Sequence, residues 1–417
     1  MKRRAFIKQS AFAGLGLIAD PGILPRKINT NSFSLEEKAV RAPHQAEDLH
    51  VLELAGPPKQ RGYIYGESLR EKIRAQIDVW KDKIGQNQKT NPEIYIKRFL
   101  EETNFKSAIK KWTPDLLEEV KGISEGSGLP FKEVYAFQLW DEEWWYSWYR
   151  NSGISIKERR HCTIGGAFDQ VGIPPILGAN MDLPGWTDGF GVLLRIKHTH
   201  SSLESYVFTV AGFLAVCGVN NKAIGLSCNT VLGLNCHSHG LPFVYIARSL
   251  LEKTKYTDAV RFLSSINHAS GQNYCIGGLQ EVSAYECSAN KVCRYIPYPG
   301  AKVIYHTNHP LINDDQSIYE EIKRRSNASE DKAPGSSEMR LRAMEKRLKN
   351  SKIPITVDTF KEALSSRDNP KYPVCYTKPE KGKGNGQRCL IYELSDSPTL
   401  HIAPGPPCTT GFKSFRF

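Results

Sequence analysis

Cys162 and Asp182 bracket the stretch of this 417-residue chain whose residue types are best suited to chemistry. From Arg160 it reads Arg-His-Cys-Thr-Ile-Gly-Gly-Ala-Phe-Asp-Gln-Val-Gly-Ile-Pro-Pro-Ile-Leu-Gly-Ala-Asn-Met-Asp. Small residues follow Cys162 and Thr163, a Val-Gly-Ile-Pro-Pro break interrupts them, and a second run ends in Asn180-Met181-Asp182. That pattern predicts a β-hairpin with a thiol at one end and a carboxylate at the return. A thiol attacks an amide carbonyl when a base takes its proton, donors stabilise the oxyanion and another group holds the base.

The surrounding sequence supplies elements to position such a hairpin. Glu53 to Glu67 reads as a turn and short strand, and Ser68 to about Lys83 as a helix with Leu69, Ile73, Ile77 and Trp80 on one face. Pro114 to Gly126 reads as a second amphipathic helix, followed by an aromatic cluster that includes Trp140, Trp144 and Trp145. The cluster fits core packing or the wall of a binding site. Beyond the hairpin, 189–198, 205–215 and 218–230 alternate as strands, 242–251 and 256–266 carry a helical period, and strands resume at 275–278, 283–287 and 292–296. A polar insertion spans 313–339, a basic helix 340–349, a strand Pro373-Val374-Cys375 and a Lys-Gly-rich hairpin tip 378–388. Strands, then helices, then strands suit two sheets between helical layers.

Gly122-Ile123-Ser124-Glu125-Gly126 satisfies the Gly-x-Ser-x-Gly pattern of serine hydrolases. That pattern requires a strand before the serine. Leu116, Leu117, Val120 and Ile123 have a helical period instead, which argues against a nucleophile elbow.

A formal charge of +12 is spread along the chain without a basic stripe interleaved with aromatics, which argues against nucleic-acid binding. Met-Lys-Arg-Arg-Ala-Phe-Ile-Lys and the apolar run Ala11 to Ala19 resemble a bacterial twin-arginine export signal. The run is too short for a stable transmembrane anchor. The ten cysteines all occur from Cys162 onward and fit an oxidising compartment, periplasmic or extracellular. Spacing alone leaves their pairing open; Cys287 and Cys293 around Ser-Ala-Asn-Lys-Val are one candidate bridge. His306 and His309, with Cys236, His237 and His239, lack a zinc-binding spacing, so no metal or cofactor is expected.

A Cys-Thr start with Asn-x-Asp some twenty residues on, behind a Gly-x-x-x-x-Arg-Gly-x-x-x-Gly-Glu entry at Gly56 to Glu67, resembles the penicillin acyltransferase-like family of cysteine N-terminal nucleophile hydrolases. This family is related to the choloylglycine hydrolases. The resemblance implies an α+β, four-layer αββα sandwich. It also implies self-cleavage between His161 and Cys162, so that the new α-amino group serves as the base. It divides the chain into an export signal (1–30), a linker and helical pro-segment (31–161) and a catalytic domain (162–417). Carried over residue by residue, Asp182 orients the amino group, Asn229 and Asn308 lie at the oxyanion, and Arg340, after Ser336-Ser337, supports the nucleophile. Ala179 stands where the bile-salt enzymes carry an arginine, and Cys162 lies far inside the chain; both favour the penicillin acyltransferase side. The implied substrate is a small acyl amide cleaved at a linear C–N bond.

Plainer readings stand beside these. Cys162 fits an inert buried thiol, Asp182 a turn former, Asn229 and Asn308 turn or cap residues, and Arg340 a solvated helix charge. An exported binding or scaffold protein that keeps the fold without catalysis is the alternative, and His161 before the cysteine leaves room for it, because a glycine there would hinder an acyl shift less.

Overall fold

The computed structural model describes residues 49–150, 162–199, 201–317, 320–321, 335–349, 351, 354–377 and 387–417. The export-like segment, most of the linker, His161, much of the 313–339 insertion and most of the Lys-Gly tip lie outside the described residues.

Helices dominate the N-terminal third. Strand β1 (His50–Ala55) leads into α1 (Pro58–Ser68), α2 (Arg70–Gln88), α3 (Pro92–Glu102), α4 (Phe105–Trp112), α5 (Pro114–Ser127), α6 (Phe131–Phe137) and α7 (Trp140–Arg150). The expected strand before Ser68 is therefore largely helix. Pro57 and Pro58 open α1, where a missing backbone N–H costs nothing. The face of α2 is as anticipated, with Leu69, Ile73, Ile77 and Trp80 all buried.

The four glycines of α1 and α5 explain both glycine patterns of this region. A Cβ at Gly62 would lie 1.9 Å from the Glu119 carbonyl oxygen, and one at Gly122 would lie 2.0 Å from that of Lys59. Gly66 and Gly126 are equally crowded, by the carbonyls of Ile123 and Tyr63. The two helices thus touch backbone to backbone. Ser124 sits within α5 and donates to the Leu129 carbonyl at 2.7 Å, so the Gly-x-Ser-x-Gly run is a helix contact. Beside it, Glu119 is buried between two arginines, accepting from Arg61 Nη2 at 2.7 Å and Arg248 Nη1 at 3.2 Å.

The remaining chain forms two sheets. Strands β4 (Gly191–Lys197), β5 (Glu204–Val210), β6 (Cys217–Asn220), β7 (Gly225–Thr230), β8 (Gln272–Gly277), β9 (Val282–Cys287) and β10 (Val292–Tyr295) form an antiparallel series. Strand β1 adds to its edge in parallel, from His50 opposite Val192 to Ala55 opposite Lys197. The second sheet has the order β11 (Val303–His306), β2 (Thr163–Ala167), β3 (Ile176–Asp182), β12 (Gln387–Glu393), β13 (Thr399–Ala403) and β14 (Lys413–Arg416). Helices α8 (Phe243–Leu250) and α9 (Tyr256–Ser265) fall between β7 and β8; α10 (Ser336–Leu348) and α11 (Val357–Leu364) fall between β11 and β12.

Glycines show how these layers stack. A Cβ at Gly225 or Gly277 would meet Leu394, at the end of β12, so the sheets face each other there. On the opposite face, a Cβ at Gly165 would meet Leu348, Met344 and Phe360, and one at Gly178 would meet Phe360 and Leu364, which places α10 and α11 outside the second sheet. Gly218 meets Leu251, just after α8. This is an α+β fold of two sheets between helical layers, as expected. Residues 373–375 form no strand; Asn180 instead holds this segment by donating to the Val374 carbonyl at 3.0 Å. Cys287 pairs with Val292 and Cys293 with Glu286, so the two cysteines point to opposite faces and the register opposes a bridge between them.

Gly122→Ala is expected to lower stability by at least about 2 kcal/mol, because backbone atoms cannot move aside for the added methyl. Gly85→Ala in α2, where the nearest atom would lie at 3.6 Å, should raise it by up to about 1 kcal/mol. Urea unfolding of both variants checks this; an unchanged midpoint for Gly122→Ala would contradict the close helix contact.

Candidate active site

Cys162 immediately precedes β2, and the ladder pairs Thr163 with Asn180, so the thiol residue and Asp182 lie at the same end of the hairpin. The chain between them turns through Gly172, whose φ of 73° suits a residue without a side chain. Cys162 is buried, with 6% of its surface exposed.

Arg340 draws the distant residues to this point. It is buried, projecting from the first turns of α10. Nη1 donates to the Cys162 carbonyl oxygen at 2.5 Å and to Thr163 Oγ1 at 2.7 Å; Nη2 donates to Asn308 Oδ1 at 2.9 Å, and Nε to Ser336 Oγ at 3.3 Å. Burial lowers the guanidinium pKa to about 10 despite the opposing charges of Asp182 and Cys162, so it remains a cation at neutral pH.

Asn308 is held from both ends. Its Nδ2 donates to the Thr230 carbonyl at 3.0 Å, and its backbone N–H to Ser337 Oγ at 2.8 Å. Asn229, at the end of β7, is directed differently. Its Nδ2 donates to the Thr307 carbonyl at 2.5 Å and approaches His306 Nδ1 at 3.3 Å, while Oδ1 accepts from Asn273 Nδ2 at 2.9 Å. His306 is oriented by Glu286, whose Oε1 lies 2.8 Å from Nε2. Glu286 is itself fixed by the backbone N–H groups of Leu311 and Asn313, at 2.6 and 2.7 Å. With Nε2 protonated toward Glu286, Nδ1 of His306 accepts from Asn229.

Asp182 has buried carboxylate oxygens, and neither stands in full hydrogen-bond geometry with a described donor. Burial raises its pKa from an ordinary 3.8 to about 7, against the pull of Arg340 and of Gln387, which faces it across the β3–β12 ladder. The neighbouring thiols are electrostatically quiet. Burial raises the Cys217 pKa to about 12 and pushes that of Cys228 well above its ordinary value, so both remain thiols at neutral pH.

The structure therefore brings Cys162, Asp182, Asn308 and Arg340 together, with Asn229 joined through Thr307 and His306; His161 lies outside the described residues. Thr163, Asn273, Glu286, His306 and Gln387 share the network without having been singled out for it. Only the Cys-Thr pair and the His-Thr-Asn run gave a sequence signal for any of them. Of the aromatic cluster, Trp140 and Trp145 are buried, and Trp140 and Trp144 line a cleft with Trp80, Pro184 and Trp186.

The model of the acyl-coenzyme A:6-aminopenicillanic acid acyl-transferase family matches residues 174–403, more than half of the chain. The chain belongs to this family. Among solved structures it is similar to penicillin V acylase from Agrobacterium tumefaciens, with 10% identity over 57% of this chain and 82% of the other and a TM-score of 0.37. It is also similar to a mutant conjugated bile acid hydrolase from Clostridium perfringens, with 11% identity over 61% of this chain and 97% of the other and a TM-score of 0.36. No match was found among curated proteins. Among the described residues, no helix is long and apolar enough to cross a membrane.

Asp182 carries a stability signature. Its native pKa lies above its unfolded one, so between about pH 4 and pH 7 the native state binds more protons than the unfolded chain and stability falls as pH rises. In a Cys162→Ala background, adding Asp182→Asn should flatten this fall. The two unfolding free energies should differ more at pH 8 than at pH 4; parallel pH profiles would mean that Asp182 titrates normally. The facing groups to watch are Arg340, Gln387, Cys375 and Cys389.

Proposed function

We propose that this protein is a self-processing cysteine amidohydrolase or acyltransferase that acts on the linear C–N bond of a small acyl amide. The observation that carries the reading is the Arg340 guanidinium, which clasps the Cys162 carbonyl, Thr163 and Asn308 at one point. Family membership supports amidase or acyltransferase chemistry.

In the proposed maturation, the Cys162 thiol attacks the His161 carbonyl and the acyl group moves from nitrogen to sulfur. Water hydrolyses the thioester, freeing a carboxylate at His161 and an α-amino group at Cys162. That amine has an ordinary pKa near 8, suited to accepting the thiol proton. Asp182 supplies a buried carboxylate at the same end of the hairpin, and the ammonium formed during turnover would stabilise its charge. The thiolate then attacks the substrate carbonyl, the amine leaves with a proton, and water or a second amine takes the acyl group from sulfur.

Asn308 spends one N–H on Thr230 and is the better oriented oxyanion donor, its carbonyl end fixed by Arg340. For Asn229 to share this role, its contact with His306 must yield. The N-terminal third is bound to the rest by more than the peptide chain. Tyr65 Oη donates to the Val210 carbonyl at 3.0 Å, Gln138 Nε2 donates to that of Gly212 at 2.7 Å, and Gln272 Nε2 donates to Asp141 Oδ2 at 2.6 Å. Both fragments would therefore remain associated after cleavage. The twin-arginine-like start supports action outside the cytoplasm.

Intact mass and N-terminal sequencing test the reading. Wild type should yield two co-purifying fragments, the larger beginning Cys-Thr-Ile-Gly, while Cys162→Ala stays whole. Arg340→Gln should process at least tenfold more slowly, because it loses hydrogen bonds to a charged donor worth roughly 1.5–3 kcal/mol. Cleavage of purified Cys162→Ala at the same bond without protease would sink the self-processing mechanism. An uncut wild-type chain that binds acyl amides without turnover would favour the scaffold alternative.

A further inference from the structure

Behind Asn229 lies a buried histidine and carboxylate that no step of the proposed reaction yet uses. His306 ends β11 and pairs with Ile164, two residues beyond Cys162. A Cβ at Gly166 would meet Val282 of β9, so this face of β2 looks toward the first sheet. Alternation along the strands puts His306 on the same face. Its imidazole reaches across to the first sheet, where Nε2 meets Glu286 Oε1 of β9 at 2.8 Å and Nδ1 meets Asn229 Nδ2 of β7 at 3.3 Å. His306 and Glu286 are both fully buried. The backbone N–H of Leu311 donates to Glu286 Oε1 at 2.6 Å, and those of Ile312 and Asn313 donate to Oε2 at 3.1 and 2.7 Å. Against burial, which would raise it, the hydrogen bonds from His306, Asn313 and Leu311 hold the Glu286 pKa below the ordinary carboxylate range, so it is ionised at neutral pH.

These contacts fix the direction of the Asn229 amide. An ionised carboxylate only accepts, so Nε2 carries the imidazole hydrogen and Nδ1 presents a lone pair. That lone pair and the Thr307 carbonyl, 2.5 Å away, both call for the N–H end of the amide, while Asn273 donates to the Oδ1 end at 2.9 Å. The reverse orientation would set an oxygen against two acceptors. The amide therefore turns its donors toward the second sheet, the sheet that Cys162 leads into. One of its hydrogens is spent on Thr307, and the other is held loosely at 3.3 Å.

We propose that His306, oriented by Glu286, is a positioning residue of the reaction: it fixes the Asn229 amide with its donors toward the nucleophile and keeps one N–H ready for the oxyanion. The proposal rests on the oxyanion role given to Asn229 above. A donor aimed before the charge develops lowers the barrier because nothing has to reorganise in the transition state. Glu286→Gln isolates this effect with little change of shape. A glutamine with its oxygen toward His306 would set its NH2 against the N–H groups of Ile312 and Asn313; reversed, it opposes only that of Leu311. The reversed amide donates to Nε2, moves the imidazole hydrogen to Nδ1 and points it at the Asn229 N–H.

The test uses the full chain as purified and two reagents for Cys162. p-Nitrophenyl acetate acylates the thiol through an oxyanion and releases p-nitrophenolate; iodoacetamide alkylates it by displacing iodide, without an oxyanion. Acylation is read as p-nitrophenolate released beyond that from Cys162→Ala, and alkylation by mass spectrometry of the Cys162 peptide. Glu286→Gln and His306→Phe should slow acylation at least about tenfold and leave alkylation unchanged. His306→Gln, which can again donate to Glu286 and accept from Asn229, should recover part of the loss. In an Asn229→Ala background, His306→Phe should cost nothing further. Acylation at the wild-type rate in both Glu286→Gln and His306→Phe overturns the proposal. So does a joint fall of acylation and alkylation, the mark of a structural role, or an undiminished loss in the Asn229→Ala background. Glu286→Gln carries the test alone if His306→Phe does not fold. A wild type whose Cys162 takes up neither reagent refutes the catalytic reading itself, and this inference with it.

Discussion

A buried guanidinium is the constraint on which the site depends. Arg340 arrives from α10, yet its donors end on the residue before β2, on the first residue of β2 and on the asparagine beyond β11. Taking a cation out of water is costly, and only charge-assisted bonds and a nearby carboxylate offset it. Asp182 and Arg340 supply part of this compensation to each other. Because the acceptors come from separate elements, the guanidinium can be satisfied only when the second sheet and its outer helix have assembled. Folding and site construction are therefore the same event here.

The N-terminal third has its own constraint, that two helices meet without side chains between them. Backbone contact between α1 and α5 needs glycine at Gly62, Gly66, Gly122 and Gly126. The contact brings Arg61 to Glu119, which also meets Arg248 of α8 in the body. A buried carboxylate between two guanidiniums adds little net stability, but losing either partner would strand a charge. It fixes the helical third against α8. Two of the four glycines, Gly122 and Gly126, satisfy a serine-hydrolase pattern in sequence, and only the helix around them shows that the pattern carries no chemistry.

Electrostatics separates the cysteines into kinds. Burial in apolar surroundings raises the pKa of Cys217 and Cys228 and leaves them unreactive thiols. Cys162 lies near them but carries the Arg340 cation on its own carbonyl and has Asp182 at the same end of the hairpin. The difference lies in the company each sulfur keeps. Asn229 shows how far such company extends. Its amide is set by His306, which is set by Glu286, which is set in turn by the backbone of Leu311 and Asn313.

What the sequence determined by itself was local. The hairpin from Thr163 to Asp182, the apolar face of α2 and the succession of strands from 189 to 296 were legible because period and turn residues act over a few neighbours. The segment before Ser68 was misread as strand because its glycines, which weaken an isolated helix, are tolerated where tertiary packing demands them. Residues 373–375 look like a strand in composition but find no edge to pair with, and they are held by the Asn180 side chain instead. Long-range partnership was decided only by the tertiary structure: Arg340 with Cys162, Glu286 and His306 behind Asn229, Glu119 between two arginines. A chain lists donors and acceptors in order. Which of them meet depends on burial, because only there does an unmatched polar group cost enough to select its partner.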